Sequence, residues 1–292
     1  MSELSEAEKR KNIEDILEQA GTLEDKDLNL ANIALAMAAS ESPHKKDIIH
    51  IERYQHHIQT MIDEVALRYG ELLQEGADDN AATQLAALKH IISDKHGYEG
   101  DTENYDDLQN VNLMRVIERR KGMPVAIALL YIHVGLAQGW DVAALNFPAH
   151  VVCRIQKDSQ ILLFDPFYQC KTLQAADLRH LLKSLVSEQA ELSAEYYEPS
   201  TKRDVLIRMQ NNIKLRMVEA EDYEGAVRAV EMMRKLDPDE YRLLLDAGVL
   251  YARTNQAMAA IDALEDYIEA TPNPEDQHEA LLLLREIRTS LN

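Results

Sequence analysis

The sequence predicts an α+β fold that is mostly helical, with one small antiparallel sheet and an all-helical array closing the chain. Three observations predict it. Apolar residues recur at three- and four-residue spacing through most of the 292 residues, β-type alternation is confined to about 140–166, and after residue 177 every segment reads as helix with a motif that returns. A hydrophobic content of 46% is enough for a proper buried core.

Helices come first. Residues 6–19 carry Ile13, Ile16 and Leu17 at helical spacing, and 28–39 are rich in alanine and leucine, both strong helix formers. A longer helix is expected over 48–73, where Ile51, Tyr54, Ile58, Met61, Ile62, Val65 and Leu67 make a broad apolar stripe. Gly76, Asp78, Asp79 and Asn80 form a loop, 81–94 a fourth helix stopped by Gly97 and Gly100, and 101–107 an acidic, solvated connector. That connector alternates oxygen-bearing side chains but lacks the central glycine and distal glutamate of a calcium hand.

Residues 111–139 hold two helices in series, with Gly122 as the stop and Pro124 in the first turn of the second, where proline is tolerated. The second helix has little polar face before Gln138, so it is expected to be buried on most sides. Strands are expected at 142–147, 150–155 and 161–164, the last two joined by a turn over 157–160.

The repeat lies further on. DYEGAV at 222–227 returns as QAMAAI at 256–261 and Pro238 as Pro272, each 34 residues later, which is the tetratricopeptide period. The second copy carries the expected small and aromatic positions at Ala247, Gly248, Tyr251, Ala260, Tyr267 and Pro272; the first keeps Ala226 and Pro238. The expected division is 1–185 for the core with its N-terminal helices and 196–292 for the array, capped by a helix over 274–291. Two copies are fewer than a free-standing array needs, so packing on the core through 196–217, without a hinge, is expected. Arg208, Asn211, Leu215, Arg242, Leu245 and Val249 are the expected lining of its groove. They lack the lysine and asparagine set that grips a terminal carboxylate, and the same helices read equally as an annex covering one face of the core.

Charge narrows the function classes. Fifty-one acidic against thirty-one basic residues give a formal charge of −20, a field that repels nucleic acid and anionic membranes. The basic triplet Arg119, Arg120 and Lys121 reads as a helix C-terminus, where cations complement the dipole. Residues 2–18 are densely charged, unlike a signal peptide, and no 18-residue apolar run occurs, so no membrane partner is expected. Cys153 and Cys170 are too few for a disulfide scaffold, which points to the cytoplasm. His44, His50, His56, His57, His90 and His96 form no i, i+4 pair, so neither metal nor cofactor is expected.

Several motifs fall in one order: Asn110, Leu113 and Val116, then RRKGMPVAIALLY at 119–131, NFPAH at 146–150, Arg154, and DPF at 165–167 with Leu173. Through them the chain resembles a bacterial family of transglutaminase-like proteins that also carry tetratricopeptide repeats, named after a regulator of invasion genes. The resemblance implies a degenerate transglutaminase-like core followed by the array. It also implies a site in which a helix N-terminus presents a thiolate to a histidine on one strand and an aspartate on the next. Dipole and imidazolium lower such a thiol's pKa. Here the histidine falls at His150, the aspartate at Asp165, and the nucleophile position at or beside Pro124, with no serine, threonine or cysteine among 122–128.

Ala149 and Cys170 stand where the family usually has glycine. Strand alternation puts Cys153 on the face opposite His150 and Arg154 on its side. The expected cleft is therefore Asn110, Pro124, His150, Arg154, Asp165 and Cys170, although Arg154 equally suits a surface ion pair. His150 and Asp165 are expected to survive as a hydrogen-bonded pair, structural or ligand-binding. The leading expectation is a non-catalytic regulatory or adaptor protein with a protein partner. The alternatives are a cysteine-dependent amide hydrolase or acyl transferase using Cys170 with His150 and Asp165, and a small-molecule sensor in the degenerate cleft.

Overall fold

The computed structural model describes residues 6–41 and 51–290. His44, His50 and the expected helical start at 48–50 lie outside them. The fold is the α+β arrangement expected, a helix-rich core with a small antiparallel sheet followed by helical repeats. The chain divides into two units: residues 1–16 with 23–206, and residues 17–22 with 207–292.

In the first unit α1 (Glu6–Thr22) and α2 (Leu30–Glu41) precede α3 (Ile51–Gln74), whose stripe buries Ile51, Tyr54, Ile58, Met61 and Val65; Leu67 is exposed instead. The expected helix over 81–94 is split. Asn80 caps α4 (Ala81–Lys89) by accepting from the Thr83 N–H at 3.0 Å, and the chain then widens into a π-helical turn, His90–Lys95. Short strand β1 (Glu99–Gly100) pairs in parallel with β2 (Lys121–Gly122), which follows α5 (Leu113–Arg119). α5 stops at Arg120, not Gly122: Arg120 takes the left-handed conformation, φ 62°, while its guanidinium bonds the Tyr98 hydroxyl and lies 2.7 Å from His57 Nε2. A tertiary anchor thereby overrides the local preference for glycine at a helix end.

Helix α6 (Pro124–Ala137) is the central element. Eleven of its residues are buried, including every position from Pro124 to Ile132, as its nearly unbroken apolar sequence requires. Completely buried Leu129 and Leu130 contribute roughly 2 kcal/mol each. The sheet runs β3-β4-β5-β6, antiparallel throughout, with strands Asp141–Ala144, Cys153–Lys157, Gln160–Asp165 and Lys171–Leu173. A two-residue turn at Asp158 and Ser159 closes the β4–β5 hairpin, as expected. The first two strands are displaced from 142–147 and 150–155, because Pro148 and left-handed Ala149 (φ 59°) take 146–152 out of the ladder as a bend. α7 (Ala175–Leu185) completes this part, and Asp25 accepts from the Lys202 and Arg203 N–H groups at the start of α8 (Lys202–Glu219).

The second unit stacks the latter part of α8 with α9 (Tyr223–Leu236), α10 (Arg242–Arg253), α11 (Ala257–Ala270) and α12 (Pro274–Ser290). Small residues set the close approaches. Ala226, Ala247 and Ala260 are fully buried, and a Cβ on Gly248 would lie 2.7 Å from the Leu264 side chain. Tyr251 and Tyr267 are buried at their repeat positions, as the 34-residue period predicts.

Candidate functional site

The site is assembled by three short segments. β2 runs directly into Met123 and Pro124 at the head of α6; β1 lies beside it, and the Gly100 N–H donates to the Phe167 carbonyl at 2.9 Å on its other side. Only glycine fits at 100, because a Cβ would stand 2.3–2.4 Å from the Phe167 ring. The turn after Asp165 is thereby tied to the segment preceding Pro124.

His150 and Asp165 meet as expected: Nε2 lies 2.7 Å from Oδ2, with both side chains buried. The other carboxylate oxygen accepts the Phe167 N–H at 2.9 Å and the Tyr168 N–H at 3.4 Å, so Asp165 fixes the turn as well as the imidazole. Phe167 meets the imidazole edge to face, Tyr168 lies tilted beside it, and Tyr105 packs edge-on against Phe167. Ala149 and Cys170, where glycine is usual, both have positive φ (59° and 60°), so the backbone keeps a glycine-like shape with side chains present.

Pro124 is the first residue of α6 and is buried. Its ring supplies neither a nucleophile nor an N–H. The Met123 N–H donates to the Asn110 carbonyl at 2.8 Å, and the Ala126 and Ile127 N–H groups both turn back to the Met123 carbonyl. Asn110 is fully buried beside that helix end, but its side chain organises a loop: Nδ2 donates to the Asn104 carbonyl at 2.6 Å while Oδ1 accepts from Arg119 at 2.9 Å.

The 101–107 connector is therefore not simply solvated. Asp101 is buried and accepts Arg119 Nη2 at 2.7 Å; burial alone would raise its pKa, but the Asn104 N–H, Arg119 and the Glu103 N–H together hold it below the usual carboxylate range. Nothing in the local sequence marks Asp101 apart from its acidic neighbours. Arg119 lies 18 residues away, and only the fold joins them.

Cys170 is buried beside the Tyr131 hydroxyl. Burial pushes its thiol up to about 12, and the nearby Asp165 carboxylate acts in the same direction. About one thiol in 10⁵ would be ionised at pH 7. Tyr131 is fully buried too, and its hydroxyl sits by Ser93 and Cys170 without a hydrogen bond of good geometry. Arg154 is not joined to this cluster: it donates to Gln156 at 2.8 Å and pairs with Asp141 at 3.2 Å. Alternation misplaces it because His150 is outside β4, so the two do not share one strand's periodicity.

In the repeat unit Arg208, Asn211 and Leu215 fall on α8, and Arg242, Leu245 and Val249 on α10. Lys214, between Asn211 and Leu215, pairs with Asp246 and links the two helices. Leu215 and Val249 are exposed, 48% and 38%, whereas Leu245 packs on the repeat core and Arg242 is held by Glu240, with Nε donating at 2.8 Å.

Residues 52–211, more than half of the chain, match the family model described as transglutaminase-like superfamily, and residues 213–285 match one described as tetratricopeptide repeat. The chain is 26% identical over 258 residues to the "UPF0162 protein" of Xylella fastidiosa (strain Temecula1), covering 86% of this chain and 87% of that one. It is 23% identical over 209 residues to "Protein SirB1" of Salmonella typhimurium (strain LT2), covering 71% and 76%. With "UPF0162 protein YchA" of Escherichia coli (strain K12) it shares 25% identity over 190 residues, covering 65% and 70%.

Proposed function

The chain belongs to the transglutaminase-like superfamily, and on that premise we propose that it is a non-catalytic regulatory or adaptor protein of the cytoplasm, binding a protein partner through the remnant cleft, the helical repeats, or both. One observation carries the reading: the head of α6, at or beside which the resemblance puts the nucleophile, is Pro124, while the histidine and aspartate still meet at 2.7 Å. A base and its orienting acid without an attacking group do not make a covalent catalyst. They do make a rigid, buried polar floor beneath exposed Tyr105 and Tyr168, the kind of surface on which a partner side chain can be held. Support for the repeat surface is the exposed pair Leu215 and Val249 on neighbouring helices.

Capture from a bacterial lysate tests this, with wild type, Tyr168→Ala, and a Leu215→Glu, Val249→Asp double variant as baits. One protein is expected to be retained by wild type and lost with at least one variant. Retention of nothing, or of a protein indifferent to both surfaces, contradicts the proposal.

A further inference from the structure

A cavity of about 450 Å³ opens between the start of α2, the middle of α3 and the end of α6. We propose that it binds an uncharged small molecule presenting hydrogen-bond donors and acceptors on adjacent atoms, the chemistry shared by a nucleobase edge and a sugar's vicinal diol.

The lining carries the argument. Asn32, Gln55, His56, Gln59 and His133 supply polar walls, Ile58 and Ile62 an apolar floor one helical turn long, and among the described residues no carboxylate, lysine or arginine lines the cavity. That is unusual in a chain where 28% of residues are charged. A cation would find no counter-charge there. An anion would find no cation in that lining, Lys202 acting on His133 from outside it, and the net charge of −20 opposes its approach. Each carboxamide instead offers an acceptor and a donor side by side, which matches a partner with the complementary pair. The carboxamides are also held: Gln55 donates to Asn32 Oδ1 at 3.3 Å, Asn29 Oδ1 accepts the backbone N–H of Asn32 at 3.0 Å, and Gln59 donates to Asp63 at 2.9 Å.

His133 is the second observation. It interrupts an otherwise apolar stretch of α6, makes no hydrogen bond with a described residue, and faces the cavity. Burial, aided by Lys202, lowers its pKa to about 4, so at neutral pH it presents one donor and one acceptor and no charge. Partly buried polar groups usually find partners. A ligand here would supply them. The volume lies within the range of small-molecule sites, roughly 300–1,000 Å³. This inference stands apart from the reading of the His150 cleft, since the two share no residue.

Titration of the full chain by calorimetry with adenine, uracil, D-glucose and D-ribose tests it. At least one of the four is expected to bind with one-to-one stoichiometry and a Kd below about 1 mM. Bases alone would identify a nucleobase site, sugars alone a diol site. Asn32→Leu with Gln59→Leu, both towards the surface, is expected to weaken binding at least tenfold with unchanged thermal unfolding, and His133→Phe to abolish it. Binding by none of the four, or binding that survives both variants, overturns the proposal.

Discussion

Proline at 124 combines two effects in one residue: its fixed φ suits the first turn of α6, and its ring removes any side chain able to attack. Ala149 shows the converse, a side chain where the backbone favours none. A left-handed non-glycine residue carries roughly 1 kcal/mol of strain. Ala149→Gly is therefore expected to raise stability to urea by about 1 kcal/mol, and Ala149→Val to lower it by more than that; equal midpoints for all three proteins would contradict the strain. Gly100→Ala is expected to cost about 2 kcal/mol or more, because its new methyl group meets the Phe167 ring. A denaturation curve superimposable on wild type would contradict that close approach.

At the scale of elements, what was legible is what neighbouring residues determine. Apolar spacing on α3, the nearly unbroken apolar run of α6 and the Lys157–Gln160 hairpin are local properties, and the structure keeps them. Where the reading failed, a distant partner decided in one case and a local bend in the other. Arg120 ends α5 because Tyr98 and His57 hold its guanidinium, and His150 leaves the strand because of the bend at Pro148 and Ala149. His133 was legible in principle, as one imidazole in an apolar helix, but the cavity it faces is made by α2 and α3.

The packing of helices also sets a pH response. His57 lies among Arg120, Tyr98, His96 and Glu64; burial first, then Arg120 and His96, lower its pKa to about 4, and His133 is lowered similarly by burial and Lys202. Both are neutral when folded but take up protons near pH 6.5 when unfolded. The folded state therefore keeps its full stability from this source above about pH 6.5 and loses it progressively as the pH falls towards 4. Melting temperature is expected to drop across that window, with a shallower slope in His57→Gln; an identical slope would remove His57 from the account.

For the whole molecule, composition and period carried most of the information. A 34-residue repeat is visible because tetratricopeptide helices pack on their sequence neighbours, so the small position Ala226 returns as Ala260 without help from distant segments. The order of motifs from Asn110 to Leu173 identified the core because β1, β2 and the Asp165 turn must meet, whatever residue heads α6. The role of exposed residues such as Leu215 and Val249 is not legible, because the fold places no constraint on them. Among the described residues no helix is long and apolar enough to cross a membrane.

The claim on which the functional reading depends is that no activated thiol serves His150. Alkylation of the native protein with iodoacetamide between pH 6 and 10, read residue by residue by mass spectrometry, tests it directly. Cys170 is expected to stay unmodified below about pH 9, identically in wild type and His150→Ala, and to react only on unfolding. Rapid modification of Cys170 near pH 7 that His150→Ala silences would contradict the account.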